Sequence, residues 1–224
     1  MLTDNRIRLI IGHYGSGKTE FAVNYAMRLA EQGRKTAIAD MDIVNPYFRS
    51  REKAQMMEEA GIRVISGARG HKANLALPMM TAEVQAPLQD HSYDLVLDIG
   101  GDAAGATAAA QYKRYFKNGD YDMFCVINRY RTDTSTLEGC IYHIKTIEAT
   151  LGAKVTGLIN NTHLLRDTSV EDVLYGQELV EKVSKELDIP VRYICTLEKV
   201  AQQLPENLEG EIFPIQMYMR PDWL

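Results

Sequence analysis

The sequence of 224 residues has no long apolar run, no excess of basic residues and only three cysteines. No run approaches the roughly 18 apolar residues that a membrane-spanning helix needs, so we expect no stable membrane anchor. With 25 basic against 30 acidic residues, the formal net charge of −5 argues against nucleic acid as a partner. The odd number and wide spacing of the cysteines predict no disulfide framework and a cytoplasmic protein without a secretory signal.

Several catalytic and metal-binding patterns are also missing. The sequence contains no C-x-x-C, so neither a bridging iron–sulfur cluster nor a zinc clasp has evident ligands. Neither H-E-x-x-H nor the nucleophile elbow G-x-S-x-G occurs. There is no internal repeat, Ser/Gly linker or low-complexity tract, so residues 1–224 are predicted to form a single domain.

Short runs rich in β-branched residues alternate with longer helix-periodic stretches. This alternation is typical of a parallel sheet with crossover helices. It predicts an α/β fold, with a mostly parallel sheet of about seven strands between helices on both faces. The predicted strands cover residues 6–11, 35–40, 62–66, 93–98, 122–127, 154–160 and 191–195.

Two local signals refine this arrangement. A capping box from Thr168 to Glu171 predicts the start of a long helix that ends before Pro190. Glycines and prolines interrupt residues 67–92, where we expect either a lid or an ordered connection.

The first predicted strand leads into a complete phosphate-binding motif, G-x-x-x-x-G-K-[ST], and a helix-periodic segment follows. Glycines let such a loop wrap an anion closely, and its backbone N–H groups converge on phosphate at the positive end of the helix. The lysine would reach the outer phosphates, and the last hydroxyl would ligate Mg²⁺. The motif predicts a nucleotide site formed by Gly12, His13, Tyr14, Gly15, Ser16, Gly17, Lys18 and Thr19.

Acidic residues follow two other predicted strands. Magnesium held between phosphates needs a nearby carboxylate, usually at the end of a neighbouring strand, and Asp98 is predicted to supply it. Asp102 is the weaker candidate because it can equally cap the Ala-rich helix that follows. Asp40 and Asp42 follow the second strand, where the turn at Asn45-Pro46 would bring both towards the nucleotide.

Together these loops resemble the MinD- and ParA-type ATPases of the signal-recognition-particle/MinD/BioD class of P-loop proteins. The shared features are the early phosphate loop, the Asp-x-Asp after the second strand and the Asp-x-x-Gly that begins at Asp98. The likeness extends from residue 6 to about residue 200. It implies that Asp42 orients the attacking water, that Asp40 supports the magnesium shell, and that ATP and Mg²⁺ are the cofactors.

One residue departs from the pattern of that family. Its members carry a signature lysine after the first glycine of the phosphate loop, and this lysine reaches across a face-to-face dimer. His13 stands there in this sequence, and a neutral imidazole lacks the fixed charge of an ammonium. We therefore expect slow hydrolysis, coupled to a homodimer or another protein partner.

The expectation for the base rests on the end of the sixth predicted strand. A guanine site there reads N-K-x-D, because its carboxylate accepts hydrogen bonds from two guanine N–H groups, but His163 occupies the fourth position. The resemblance to MinD-type proteins implies that Asn160 contacts adenine, together with backbone groups of Thr196 and Leu197. This favours ATP over GTP.

Two other interpretations stay open. One is an ATP-dependent ligase or transferase of the BioD/CobB kind, which would hold a small acid with residues 67–92 and 129–145. The other is a metallochaperone GTPase of the UreG type, which shares the phosphate loop and Gly100-Gly101-Asp102 but also carries a Cys-Pro-His motif that is absent here. The apolar tail from Ile212 onward is expected to pack on its own sheet or to form a partner surface.

Overall fold

The computed structural model describes residues 2–42, 53–65, 82–117 and 119–219. Within them, eight strands form one parallel sheet in the order β3-β2-β4-β1-β5-β6-β7-β8. The strands are β1 (Ile7–Ile11), β2 (Thr36–Asp40), β3 (Arg63–Ile65), β4 (Asp94–Asp98), β5 (Tyr121–Ile127), β6 (Gly157–Asn160), β7 (Val191–Leu197) and β8 (Glu211–Ile215).

The central strand, β1, lies between β4 and β5. All residues of β1 and β4 are buried, as expected where helices cover both faces of a parallel sheet. The registers pair Ile10 with Asp98 and Ile11 with Cys125, which places the carboxyl ends of the three strands at one edge. Polar residues that follow these strands therefore meet at that edge.

The α/β class predicted from the sequence is confirmed, with eight strands where about seven are expected. The additional strand, β8, pairs with β7 at the edge of the sheet. Its short sequence includes Pro214, which lacks the N–H of a ladder and weakens the strand signal. An edge strand tolerates proline. The first part of the apolar tail thus packs on its own sheet, whereas residues 220–224 lie outside the described residues.

Seven α-helices accompany the sheet in the described ranges. They are α1 (Lys18–Glu31), α2 (Ala54–Glu59), α3 (82–89), α4 (Ala103–Ala110), α5 (Leu137–Leu151), α6 (Val170–Leu187) and α7 (Glu198–Ala201). None of the helices in this part of the chain is both long and apolar enough to cross a bilayer. Residues 67–81 of the segment in which a lid or a connection is expected lie outside the described residues.

The predicted long helix is α6, and its capping box differs by one residue from the prediction. Ser169 and Asp172 form the reciprocal pair, instead of Thr168 and Glu171. Thr168 Oγ1 accepts a hydrogen bond from the backbone N–H of Leu164 at 2.9 Å and so closes the preceding turn. Two Ser/Thr-x-x-acid patterns overlap here, and spacing alone does not choose between them.

Each face of the sheet carries its own apolar core. On one face α1 packs over the central strands, where five rings cluster with neighbouring centroids 5.3–6.4 Å apart: Phe21, Tyr25, Phe124, Tyr193 and Phe213. On the other face α4, α5 and α6 cover a largely aliphatic core. These two layers hold the carboxyl edge of the sheet in place.

A buried charge network stabilises the opposite edge. Arg8 is fully buried, and its Nη1 lies 2.5 Å from Oδ1 of Asp94. Its Nε donates to the hydroxyl of Tyr25 at 3.1 Å, while Nε of Arg34 lies 2.7 Å from the other Asp94 oxygen. Burial of these charges is tolerated because they are paired and hydrogen-bonded. The network connects β1, β4 and α1 at the end away from the phosphate loop.

Candidate functional site

The phosphate loop connects β1 to α1 at the carboxyl edge of the sheet. Gly15 and Gly17 have φ of 76° and 85°, which non-glycine residues rarely adopt. A Cβ at Gly17 would lie 2.2 Å from Nδ2 of Asn161. A Cβ at Gly101, in the loop after β4, would lie 2.9 Å from the backbone N of Tyr14. The phosphate loop is therefore packed between the loops that follow β4 and β6.

The amino end of α1 points its backbone donors into this loop. Gly17 is the N-cap residue, so no side chain caps the helix. The first N–H groups of a helix have no partner within it, and they carry its positive dipole end. An uncapped helix start behind a glycine loop is suited to bind an anion such as phosphate.

Lys18, the first residue of α1, lies against three carboxylates. Its Nζ lies 3.0 Å from Oδ2 of Asp42 and 4.0 Å from Oδ1 of Asp98. Burial lowers the pKa of Lys18, but the charges of Asp98, Asp42 and Asp40 outweigh this effect, so its net pKa shift is upwards. The ammonium therefore stays charged. The structure brings Lys18, Asp42 and Asp98 together, as expected from residues that follow neighbouring parallel strands.

Asp98 lies at the end of β4 beneath the phosphate loop. Thr19 Oγ1 donates to Oδ2 of Asp98 at 2.6 Å. The side chain is fully buried, and its Oδ1 accepts no hydrogen bond within the described residues. Burial raises the pKa of Asp98, against the lowering effects of Lys18 and Thr19. A buried carboxylate oxygen without a donor fits a site where a cation or its water shell would bind.

Asp40, the last residue of β2, positions the acidic segment that follows it. β2 pairs with β4 so that Asp40 lies opposite Asp98, and Oδ1 of Asp40 accepts from the backbone N–H of Asp42 at 3.2 Å. Both Asp40 and Asp42 are buried. The chain is described only as far as residue 42 here, so the turn predicted at Asn45-Pro46 lies outside the described residues.

Asp102 has a structural role in the described geometry. It is the N-cap residue of α4, and its Oδ1 accepts a hydrogen bond from the backbone N–H of Gly105 at 2.7 Å. This is the capping role that the sequence pattern offers as the alternative to a magnesium ligand. Asp98 is thus the residue of the two that lies beside Thr19 and Lys18.

A cavity extends from the phosphate loop along α1 towards β7 and β8. One end of it is polar and contains Lys18, Thr19 and Asp42, while the other end is apolar. The apolar end is lined by Leu165, Leu197, Ile215, Met217 and Met219, with Thr168, Thr196 and His163 among the polar groups beside them. Such a division suits a nucleotide, with phosphates at one end and a base at the other.

Asn160, the last residue of β6, and Asn161, the residue after it, differ in direction. Asn160 is fully buried, and its Nδ2 donates to the backbone oxygen of Val173 at 2.9 Å and to Oε1 of Gln177 at 3.1 Å. Asn161 lines the cavity, and its Nδ2 donates to the backbone oxygen of Ser16 at 2.7 Å. A base contact by Asn160 stays a prediction, whereas Thr196 and Leu197 do line the cavity.

The segment after β8 forms a wall of the cavity that is held by α1. Asn24 binds both backbone groups of Gln216, and Oε1 of Glu20 accepts from the backbone N–H of Tyr218 at 2.5 Å. Met217 and Met219 then face the apolar end of the cavity. The sequence pattern does not predict this wall, because it depends on contacts between residues 192 and 198 positions apart in the chain.

His13 and Tyr14 form the outer side of the phosphate loop. Nε2 of His13 lies 3.6 Å from Oδ2 of Asp133, and its ring is 5.7 Å from that of His143, edge to face. Tyr14 is 56% exposed. Among the described residues, neither side chain contacts the carboxylates of Asp40, Asp42 or Asp98.

Arg131 is a further residue that sequence reasoning does not predict. It follows β5, and its Nε donates to the backbone oxygen of Gly15 at 2.8 Å. The order of strands could indicate this residue. Because β5 lies next to β1 in the sheet, the loop after β5 must lie beside the phosphate loop.

A phosphate loop between β1 and α1, with a buried aspartate on the adjacent parallel strand, defines the P-loop NTPase fold. Residues 10–175 match the CbiA family, described as the CobQ/CobB/MinD/ParA nucleotide binding domain. The chain belongs to this family. A comparison with curated protein sequences gave no significant match.

Solved structures with a similar fold include three FtsY proteins. That of Thermotoga maritima has a TM-score of 0.56 and 18% identity, over 89% of this chain and 64% of that one. Chloroplast FtsY of Physcomitrella patens has a TM-score of 0.54 and 19% identity, over 84% and 57%. FtsY of Elizabethkingia anophelis in complex with GDP has a TM-score of 0.52 and 18% identity, over 87% and 58%. The chain thus spans less than two thirds of these proteins, and at such identities the likeness shows the fold alone.

Proposed function

We propose that the protein is a magnesium- and ATP-binding P-loop ATPase of the MinD/ParA type. The observation that carries the proposal is the group formed by Lys18, Thr19, Asp42 and Asp98 at the uncapped start of α1. It combines an anion-binding helix end, a charged lysine, and carboxylates that a metal ion and a water molecule need.

The charges in the site support a requirement for Mg²⁺. One ammonium, that of Lys18, faces the carboxylates of Asp40, Asp42 and Asp98. A polyphosphate would add negative charge to a group that is already acidic, so a divalent cation is needed to bind it there. In the described residues no group of three or more His, Cys, Asp or Glu side chains could hold a metal alone. The ion would therefore bind through Thr19 and phosphate oxygens, with Asp98 and Asp40 holding its waters.

Hydrolysis would proceed by attack of water on the terminal phosphorus. The water oxygen forms a bond to that phosphorus, and the bond to the bridging oxygen breaks, so that ADP leaves with the electron pair and the proton passes to phosphate or solvent. Asp42, which is paired with Lys18 in the described geometry, would hold the water in line once Lys18 binds the phosphates. Positioning of this kind provides much of the rate enhancement in phosphoryl transfer.

The apolar end of the cavity supports adenine over guanine. A guanine site needs an acceptor for two N–H groups, and His163 stands where a guanine-reading carboxylate would be. The carboxylates among the described lining residues are engaged elsewhere: Asp42 pairs with Lys18, and Glu20 accepts from the tail backbone. One structure with a similar fold, an FtsY protein, was solved in complex with GDP, but it is only 18% identical to this chain. Guanine is therefore the alternative base that the test below includes.

The coupling to a protein partner is part of the same proposal. It is supported by family membership and by the exposed Tyr14, which places an aromatic ring on the outer side of the phosphate loop. A change of nucleotide would move groups next to this surface. We expect the partner to be a second copy of the chain or another protein, with hydrolysis slow in its absence.

Thermal unfolding of the purified protein with Mg-ATP, Mg-GTP or no nucleotide tests the proposal. We expect stabilisation by Mg-ATP, a smaller effect of Mg-GTP, and loss of both with EDTA or in Lys18→Ala. The matched control is Lys35→Ala, which removes an exposed lysine paired with Asp90 on the far edge of the sheet. Equal or greater stabilisation by Mg-GTP would overturn the choice of base, and no nucleotide effect at all would overturn the proposal.

A ligase or transferase of the BioD/CobB kind is the second candidate, since the family description names CobB and CobQ beside MinD and ParA. It predicts that a small acid accelerates ATP turnover. A screen of metabolites that leaves turnover unchanged would reject it. Tight nickel binding together with preference for GTP would instead support the metallochaperone interpretation.

A further inference from the structure

Arg131 lies beside the phosphate loop because of the strand order. β5 pairs with β1 in parallel register, with Cys125 opposite Ile11, so the loops after these two strands are neighbours. Nε of Arg131 donates to the backbone oxygen of Gly15 at 2.8 Å, and its side chain lines the same cavity as Lys18.

The phosphate loop is shaped to accept this arginine. Gly15 has a φ of 76°, and a Cβ there would lie 2.8 Å from Nε of Arg131 and 3.0 Å from its Cζ. Any side chain at residue 15 would therefore displace the guanidinium. The close approach that glycine permits at residue 15 and the hydrogen bond to its backbone oxygen both hold the side chain of Arg131 in the same position.

The terminal nitrogens of Arg131 carry four N–H groups that its bond to Gly15 does not use. Within the described ranges, the guanidinium of Arg131 forms no ion pair with a carboxylate, and its hydrogen bond to Gly15 is the one that the side chain makes. A guanidinium held at Nε and left open at both Nη atoms presents the fork that binds phosphate oxygens.

Arg129, two residues earlier, shows the contrast. Its Cζ lies 3.7 Å from the ring centre of Tyr175, and its Nη1 donates to the backbone oxygen of Tyr175 at 2.5 Å and lies 3.3 Å from Glu178. It is not among the residues that line the cavity. Of the two arginines in this loop, Arg129 binds α6 and Arg131 faces the phosphate loop.

We propose that Arg131 contacts the polyphosphate of the nucleotide bound by its own chain and stabilises the charge that develops during phosphoryl transfer. The inference rests on the proposed ATPase function and deepens it. It explains how a phosphate loop with His13 in place of a lysine gains a second permanent positive charge beside Lys18. The charge comes from the loop after β5 instead of from a partner subunit.

The test compares Arg131→Ala and Arg131→Lys with wild type and with Arg129→Ala as the matched control. Steady-state phosphate release from Mg-ATP and equilibrium binding of ATP and ADP are measured on the full chain. We expect Arg131→Ala to lower kcat/KM by about tenfold or more, given the larger effects of arginines that stabilise this transition state. Arg131→Lys restores part of the rate, and Arg129→Ala keeps wild-type kinetics.

A mixing experiment distinguishes the same chain from a partner chain. Arg131→Ala is combined with Lys18→Ala, which lacks the phosphate-binding lysine but offers an intact Arg131. No recovery of phosphate release supports the contact within one chain, whereas recovery overturns it. If wild type hydrolyses ATP and Arg131→Ala behaves as Arg129→Ala does, this inference fails and the ATPase proposal stands. If wild type neither binds nor hydrolyses ATP, both fail.

Discussion

The side-chain amide of Asn24 binds both backbone groups of Gln216, 192 residues away in the chain. Nδ2 donates to the backbone oxygen at 2.8 Å, and Oδ1 accepts from the backbone N–H at 2.8 Å. This reciprocal pair attaches the segment after β8 to α1. It therefore fixes the position of Met217 and Met219 at the apolar end of the cavity.

Asn24→Ala is expected to loosen that wall. Two backbone groups of Gln216 lose a partly buried partner, which costs about 1–3 kcal/mol of unfolding free energy. Affinity for ATP should fall more than affinity for inorganic triphosphate, because the wall contacts the base end alone. Urea unfolding and binding titrations measure both effects. Asn24→Asp is the matched control: it keeps the acceptor for the Gln216 N–H and loses the donor, so an intermediate effect is expected. Equal loss of affinity for both ligands would contradict the assignment of the wall to the base.

Thr19→Val should abolish the Mg²⁺-dependent part of nucleotide binding. The variant keeps the shape of the side chain but removes the hydroxyl that donates to Asp98 and would ligate the metal. Thr19→Ser retains the hydroxyl and should bind as wild type does. Thermal unfolding with ATP across a magnesium titration provides the measurement. A Thr19→Val variant with an unchanged magnesium midpoint would show that this hydroxyl is not a ligand.

Asp42→Asn should separate binding from hydrolysis. The amide keeps the shape of the carboxylate but lacks the charge that holds a water molecule in line, so we expect phosphate release to fall by about tenfold or more while ATP still binds. Single-turnover phosphate release and equilibrium binding provide the two readouts. Unchanged phosphate release would exclude the role proposed for Asp42.

His143 predicts a loss of stability in acid. Burial lowers its pKa to about 4 from 6.5, and the charge of His13 acts in the same direction, while Asp133 and Asp102 oppose the shift. Between these two values the unfolded chain binds a proton that the folded chain does not, so the unfolding free energy falls as the pH falls through this window. The shift corresponds to about 3 kcal/mol, lost by about pH 4.

Urea unfolding at steps between pH 7 and pH 4 measures this effect. His143→Leu should show a smaller decrease in stability over the window, since it removes the titrating ring and fills a similar volume. His91→Ala, which removes an exposed histidine, is the control and should decrease as wild type does. Identical pH dependence in His143→Leu and wild type would assign the acid sensitivity to other groups.

The sequence motif predicts the phosphate loop and the aspartates around it because both depend on local spacing and on strand order. Lys18, Asp42 and Asp98 come together because parallel strands end at one edge, and that much can be derived from alternating strands and helices. The sequence does not determine which of Asn160 and Asn161 lines the cavity. Adjacent residues at a strand end face opposite ways, and their direction depends on the exact register. β8 and its tail depend on contacts with α1 that no local pattern contains.

The hydrogen bond from Asn161 to the backbone oxygen of Ser16 has a mechanical consequence. It joins the phosphate loop to the loop after β6, and the missing Cβ of Gly17 lets the two loops approach each other. In the proposed binding mode the loops that hold the phosphates and the base are therefore linked directly, so we expect a shift of the phosphate loop to be passed to residues 161–168. We therefore expect that binding of phosphates at the phosphate loop changes the affinity of the other end of the cavity for the base.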